Sequence, residues 1–565
     1  MQSPFLLIMA GYLQWISLAI LTASGLLWPL ATQAEVRMPA IFGDHMVLQQ
    51  QSVLPVWGWA SPGELVQVTF KNQTRQAIST TEGTWRVNLD PVDAGSDADT
   101  LTVRGKHNTL VFKDVLVGDV WIASGQSNME FGIQTDKRGE EAIARAKDSQ
   151  IRFFFVPWAI ALQPNTDIGP AMPPSALNGI WVVCDPSTMR ANWGWHGISA
   201  VGYYFATDIR RVTGHPVGLI ATYKGGTPAQ AWVSLSGLEK DNILAHYVAD
   251  HQAILADFAR ARSAYSQARA DYEAKLKKWN EATQSAKTPD QIRLIGPSPK
   301  APSSPDGGYS APANLFNGMV APIIPYAIKG VIWYQGESNA SNPREGNEYG
   351  TLFPRLISDW REKWSQGNFP FLFVQLPNIN SLAKTPSEGR WPWVREAQRK
   401  TALSLPNAGM ATTIDLGDAD NLHPPDKLYV GRRLALVARH VAYGQDLVYS
   451  GPMYNSMTIE GDRIRLTFQN TGSGLAIGVP PPSSDGKVQL VPSRLTGFGV
   501  AGEDRNFVWA SAKIDGNSVV LSAEGLEHPV AARYDWGQNP YGDLYNKEGL
   551  PASPFRTDDW PPTEK

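Results

Sequence analysis

Two textures of apolar and polar positions alternate along this chain. Between residue 35 and about 115, short runs such as LVQVTF and TWRVNL switch between apolar and polar at every step and are parted by Gly, Asn and Asp turns. Alternation of this kind marks half-buried strands, and it predicts an N-terminal β-sandwich over 35–115. From about 116 to 445 the runs become wholly apolar: VGDVWIASG, PVGLIATY, IKGVIWYQG, FPFLFVQL and AGMATTIDLG, with helix-like stretches between them. Strands apolar on both faces belong to a parallel sheet covered by helices on both sides. From about 446 to 565, RIRLTF, FVWASA and SVVLSAEG return to strand texture and predict a second β region.

One stretch interrupts the α/β alternation. From about 239 to 285, Ile254, Phe258, Ala261, Tyr265, Ala268, Tyr272, Leu276 and Trp279 recur three or four apart, the spacing of one helix face. A Pro- and Ser-rich segment to residue 312 leads back to the sheet, so 239–312 is expected to be a helical insertion packing on its own body. A homodimer contact through this insertion is the alternative use of the same face. Residues 1–34 are almost uncharged and end in small residues, which reads as a signal peptide cut before Glu35; an uncleaved membrane anchor is the rival reading. Either way the body is expected to be secreted or periplasmic.

Composition narrows the function. The 565 residues are 43% hydrophobic and 18% charged with net charge −3, and no long run of Lys and Arg occurs, so nucleic acid is not an expected partner. The single cysteine, Cys184, excludes an internal disulfide and multi-cysteine metal sites, and in WVVCDP it reads as a small buried hydrophobe. None of the nine histidines has metal-ligand spacing, and neither metal nor cofactor is expected.

Candidate chemistry concentrates where apolar runs end in glycine turns. In WIASGQSNME the apolar run stops at Gly125, and Ser127 follows between two amides. A serine on such a turn is either a turn former or a nucleophile. In TTIDLGDADNLHPPDK, His423 lies beyond an apolar strand with Asp420 three residues before it, close enough for a carboxylate to turn back onto the imidazole Nδ1. In isolation that pattern fits a polar loop solvating itself better. Donors for a developing oxyanion are available at the same kind of strand end: the N–H of Ser127, Gly225 or Gly226 in KGGTPAQAW, and the amide of Gln335 in VIWYQGESNA. Open α/β sheets gather such ends along one edge, where their sites lie. Trp195 and His196, in NWGWHGIS, are candidates for an aromatic pocket wall. Arg395 is a candidate clamp for a substrate carboxylate, with a buried structural ion pair to Glu396 or another acid as its alternative.

GQSNM at 125–129, KGGTPAQAW at 224–232, LFNGMVAPIIPYAIKGVIWYQGESNA at 315–340, WVREAQ at 393–398 and DADNLHPPDK at 418–427 together resemble the sialate O-acetylesterase family. The likeness continues through IFGDHMVLQQ near the start and YGDLYNKEGLPASPFRTDDW near the end, covering most of the chain after residue 35. It implies an α/β fold of the SGNH-hydrolase (flavodoxin-like) type, a parallel-sheet sandwich with flanking all-β domains and a helical insertion. It implies Ser127 as nucleophile, His423 as general base, Asp420 as orienting carboxylate, and Gly225 or Gly226 with Gln335 as oxyanion donors. Glu337 is expected to hold the Gln335 or His423 loop or to replace Asp420 as the third member, with Asn128 buttressing the turn. The function implied is hydrolysis of acetyl esters on a sugar. An esterase for acetylated xylan or xyloglucan is one alternative, and a non-catalytic carbohydrate-binding protein is another.

Overall fold

The computed structural model describes residues 35–562, apart from 170–176, 192, 287, 387, 480–488 and 492. Residues 1–34, the expected signal peptide, lie outside the described residues. At the centre stands a sheet whose strands, in chain order, are β1 (Thr109–Gly125), β2 (Ile151–Phe155), β3 (Trp181–Val183), β4 (Val217–Tyr223), β5 (Gly330–Tyr334), β6 (Phe371–Val374) and β7 (Ala408–Ala411). Their spatial order is β7-β6-β5-β1-β4-β2-β3. All pairs are parallel except β2 with β3. Every residue of β2, β4 and β5 is buried, which is why these segments read as unbroken apolar runs.

Helices α1 (Ser127–Glu130), α2 (Ala200–Thr213), α4 (Pro343–Trp364), α5 (Arg390–Ser404) and α6 (Leu428–Val441) surround this sheet, and α3 (Ala245–Ser285) forms the insertion. Among the described residues, the C-terminal region adds three smaller sheets. One hydrophobic cluster runs from Val36 to Met453, and a second, from Ile464 to Phe555, belongs to the C-terminal β region alone.

The N-terminal region is fused to the α/β body more tightly than a boundary at 115 suggests. β1 is one 17-residue strand: its first half pairs antiparallel with Gly95–Arg104, and its second half lies between β4 and β5. Val47–Gln49 also pairs with Leu116–Gly118. The change from alternating to fully apolar texture therefore marks the point where a single strand passes from half cover to full cover.

The insertion departs from its expected packing. Only Tyr247 and His251 of the 41-residue α3 are buried. His251 pairs through Nδ1 with the carbonyl of Pro312 at 3.0 Å. Farther out, the predicted stripe is half-buried at most, Ala268 is exposed, and the helix is braced by its own return segment, as where Trp279 Nε1 donates to Gly296 O at 3.0 Å. Among the described residues, no helix is long and apolar enough to cross a membrane.

Candidate active site

Three strand ends meet at Gly125. Register aligns Tyr223 of β4 and Tyr334 of β5 with it, one on each side. Gly125 has φ +127°, and a Cβ there would fall 2.2 Å from the Tyr334 carbonyl oxygen, so the turn demands glycine on two counts. Gln126 N donates to Tyr334 O at 2.9 Å and Lys224 N to Gly125 O at 3.0 Å, clamping the turn to both neighbours. Ser127 then opens α1. It is the one partly exposed residue between the buried Gln126 and Asn128.

His423 arrives from the other edge of the sheet, on the loop between β7 and α6. Its Nε2 lies 2.8 Å from Ser127 Oγ although 296 positions separate them in the chain. Burial first, and the Lys427 charge second, hold the imidazole below its ordinary pKa, which keeps it neutral and able to accept a proton near pH 7. Trp195 packs edge-on against the ring, with centroids 4.7 Å apart. His196 follows it at φ +61°, exposed, with its ring 6.5 Å from that of Trp195.

The two loops are tied together by Asn128. Its Nδ2 donates to Leu422 O at 3.1 Å and to Glu337 Oε1 at 2.6 Å, while its Oδ1 accepts from Lys427 Nζ at 2.5 Å. Asn128 thus bridges the serine turn to the Leu422 carbonyl and to Lys427 on the histidine segment, and Glu337 meets this bridge from the β5 side. Burial raises the Glu337 carboxyl above its ordinary range and pushes Lys427 down to about 7. Below this network, Lys427 N donates to Asp136 Oδ2 and Lys137 N to Pro425 O, each at 2.8 Å, and Arg138 pairs with Asp426.

Several expected roles are not what the structure displays. Asp420 is exposed, and among the described residues its carboxylate makes no hydrogen bond to His423; its backbone N–H is spent on Asp418 Oδ1 at 3.0 Å. Glu337 does not reach the imidazole either, since its Oε1 is taken by Asn128. Gln335 is fully buried, its Nε2 donating to Asn339 Oδ1 at 2.7 Å and Thr227 O at 3.3 Å, its Oε1 accepting from Tyr349 at 2.9 Å. That amide is a strut between strand ends rather than an open donor. Gly225 donates its N–H to Glu130. Its place is nevertheless against the serine, since a Cβ there would sit 3.3 Å from Ser127 Cβ. The N–H groups of Ser127 and Gly226, which have no partner among the described residues, are the open donors.

Arg395 is no clamp. It is fully buried in α5 and donates to four backbone carbonyls, those of Leu376, Pro377, Gly537 and Gln538, which bolts the β6 loop to the C-terminal region. Burial lowers its pKa to about 9. Glu396 pairs with Arg399 instead, at 2.7 Å. Burial likewise pushes the Cys184 thiol up to about 12, as suits a small core residue.

Three residues escaped the reading of the sequence. Lys427 stands four positions after His423, in the same quoted segment, yet only the fold turns it back to Asn128. Glu130 stands three after Ser127, on the same turn of helix, and burial raises its pKa. Trp158, under the Lys224 ammonium at 3.7 Å, offered no signal at all. Among the described residues, no group of three or more His, Cys, Asp or Glu is placed to hold a metal.

A family model described as a carbohydrate esterase, sialic acid-specific acetylesterase, matches residues 309–438, the segment that carries Gln335, Glu337 and His423. The sialate O-acetylesterase of Rattus norvegicus is 30% identical over 464 residues, 76% of this chain and 79% of that protein. The Homo sapiens sialate O-acetylesterase is 29% identical and is aligned over 94% of this chain and 95% of its own length. A crystal structure of a carbohydrate acetylesterase from Xanthomonas citri superposes with a TM-score of 0.73 at 32% identity, covering 93% of this chain and all of that one. The likeness thus spans both β regions as well as the sheet edge where serine and histidine meet, and the chain belongs to the sialate O-acetylesterase family of carbohydrate esterases, which makes it a carboxylic-ester hydrolase.

Proposed function

We propose that this esterase removes acetyl groups from a sugar through a covalent acyl-enzyme formed on Ser127. The contact of 2.8 Å between Ser127 Oγ and His423 Nε2 carries the reading. In the first half-reaction Oγ attacks the acetyl carbonyl, Nε2 takes the hydroxyl proton, and the N–H groups of Ser127 and Gly226 face the oxyanion. Collapse expels the sugar alcohol, which receives the proton from Nε2. Water, deprotonated by the same imidazole, then releases acetate and restores the serine. Proton transfer needs only the serine–histidine pair in the geometry observed. We assign the α/β part to the SGNH-hydrolase arrangement, a reading supported by the convergence of β1, β4 and β5 ends on one glycine. The body is proposed to be secreted or periplasmic, in keeping with the apolar first 34 residues.

The acetylated sugar is a sialic acid on the strength of the mammalian relatives' names. Since Arg395 is buried on carbonyls, it offers no grip for a sialate carboxylate, and acetylated plant cell-wall oligosaccharides stand beside it as substrates. Acetate release from O-acetylated sialic acids, compared with acetylated xylan and xyloglucan oligosaccharides, discriminates between them. Ser127→Ala should abolish release from whichever is cleaved; release at the wild-type rate refutes the mechanism.

A further inference from the structure

Where the C-terminal β region meets the α/β body, a cleft of about 770 Å³ opens between Ser341–Pro343 and the segments around Arg505 and Trp536. A second cleft of about 460 Å³ adjoins it, and the two share Gly497, Trp509 and Trp536. Trp509 is the most exposed tryptophan among the described residues, at 46%. Yet it is not loose. Its Nε1 donates to Lys384 O at 3.0 Å, so the indole is fixed between the two clefts with much of its surface left to solvent. Trp536 is fixed likewise, through Nε1 to Glu388 Oε2 at 3.3 Å. An indole held rigid and left bare is poor economy for folding alone and suits a flat apolar partner.

Polar groups ring the aromatic floor. The Arg505 guanidinium makes no ion pair among the described residues, Arg390 spends one N–H on Ser341 O, and Asn342 and Asn506 line the same wall. An apolar plate with a ring of planar hydrogen-bonding groups complements a pyranose, which has C–H bonds on its face and hydroxyls at its edge. The groove is also joined to the reacting centre. Its near wall starts two residues after the turn Glu337–Asn339, whose Ser338 N donates to Gln126 Oε1 at 3.1 Å. The β6 loop that supplies Lys384 O to Trp509 also sends Asn380 N to Ala419 O, at 2.9 Å, on the histidine loop.

From this placement we infer that the groove is a glycan-binding site in which the C-terminal β region holds sugar units beyond the acetylated one, with Trp509 as the stacking platform. The inference rests on the substrate's being a carbohydrate but not on the chemistry at Ser127. The test is direct titration of the full chain carrying Ser127→Ala with unacetylated oligosaccharides: xylohexaose and xyloglucan heptasaccharide as neutral arms, sialyllactose as the anionic arm. Saturable binding of at least one arm, weakened about two- to tenfold by Trp509→Ala and largely restored by Trp509→Phe, supports the site. In the Ser127 background, the same loss should appear as a raised KM with unchanged kcat on the acetylated form of the bound oligosaccharide, while turnover of a small chromogenic acetate stays at its wild-type level. No binding in any arm, or equal binding by wild type and Trp509→Ala, overturns it. Binding without any acetate release would leave this site standing and remove the esterase mechanism instead.

Discussion

Asn128→Ala tests how the site is held together. The side chain is fully buried and makes three bonds, to the Leu422 carbonyl at 3.1 Å, the Glu337 carboxylate at 2.6 Å and the Lys427 ammonium at 2.5 Å. Leu422 is exposed, so water can take over its carbonyl at little cost. The two charged groups have no such recourse: Glu337 Oε2 is already buried without a partner, and Lys427 is fully enclosed. Leaving these buried groups short of a hydrogen-bond partner costs about 1–3 kcal/mol each. A fold stable by about 5–15 kcal/mol survives that with a lowered Tm. The catalytic consequence is separate, because the loop bearing His423 loses its tie to the serine turn. A displacement of about 1 Å at the imidazole is worth about a hundredfold in rate. Initial rates on a chromogenic acetate, with thermal unfolding run in parallel, should therefore give kcat/KM down about a hundredfold in a protein that is still folded. A folded variant within about threefold of wild type would show that Asn128 positions nothing and that the loop is held by other contacts.

Asp420→Asn should lose less than about tenfold in kcat, where a carboxylate bonded to the catalytic imidazole costs about 10⁴-fold; a loss of that size would show that Asp420 reaches His423 during turnover. Because the His423 pKa is lowered by burial and by Lys427, the neutral base persists below pH 6.5 and the acid limb of kcat/KM should lie below that value. Lys427→Met removes a charge that opposes the imidazolium, so the limb should move to higher pH, and a shift the other way contradicts the assignment. Gly225→Ala would set a methyl 3.0 Å from Glu130 Oε2 and 3.3 Å from Ser127 Cβ, so turnover should collapse with little change in Tm. Arg395→Met strands four carbonyls and should lower Tm by several degrees while leaving KM alike for neutral and anionic acetylated sugars; a selective rise for the sialic acid would restore the clamp.

Much of this protein is legible in its sequence. The wholly apolar runs at 116–445 had to be parallel strands, because only burial on both faces removes the polar alternation seen at 65–89. Ser127 after Gly125, and His423 in a polar loop after a strand, were visible as candidates because glycine turns and strand-end loops follow from local chain geometry. What local pattern could not supply was contact. Gln335 and Ser127 both end apolar strands, and only packing decided that the amide is a buried strut while the hydroxyl stays open. Asp420 had the right spacing, yet a loop's spacing limits how far a carboxylate can reach without fixing which way it points. Arg395 looked like an anion site until four carbonyls from two regions enclosed it. Periodicity is written into the chain because each residue samples its own sheet or helix face, whereas the partner across a junction is set by the sum of all the packing. Lys427, Glu130 and Trp158 therefore join the site only in three dimensions.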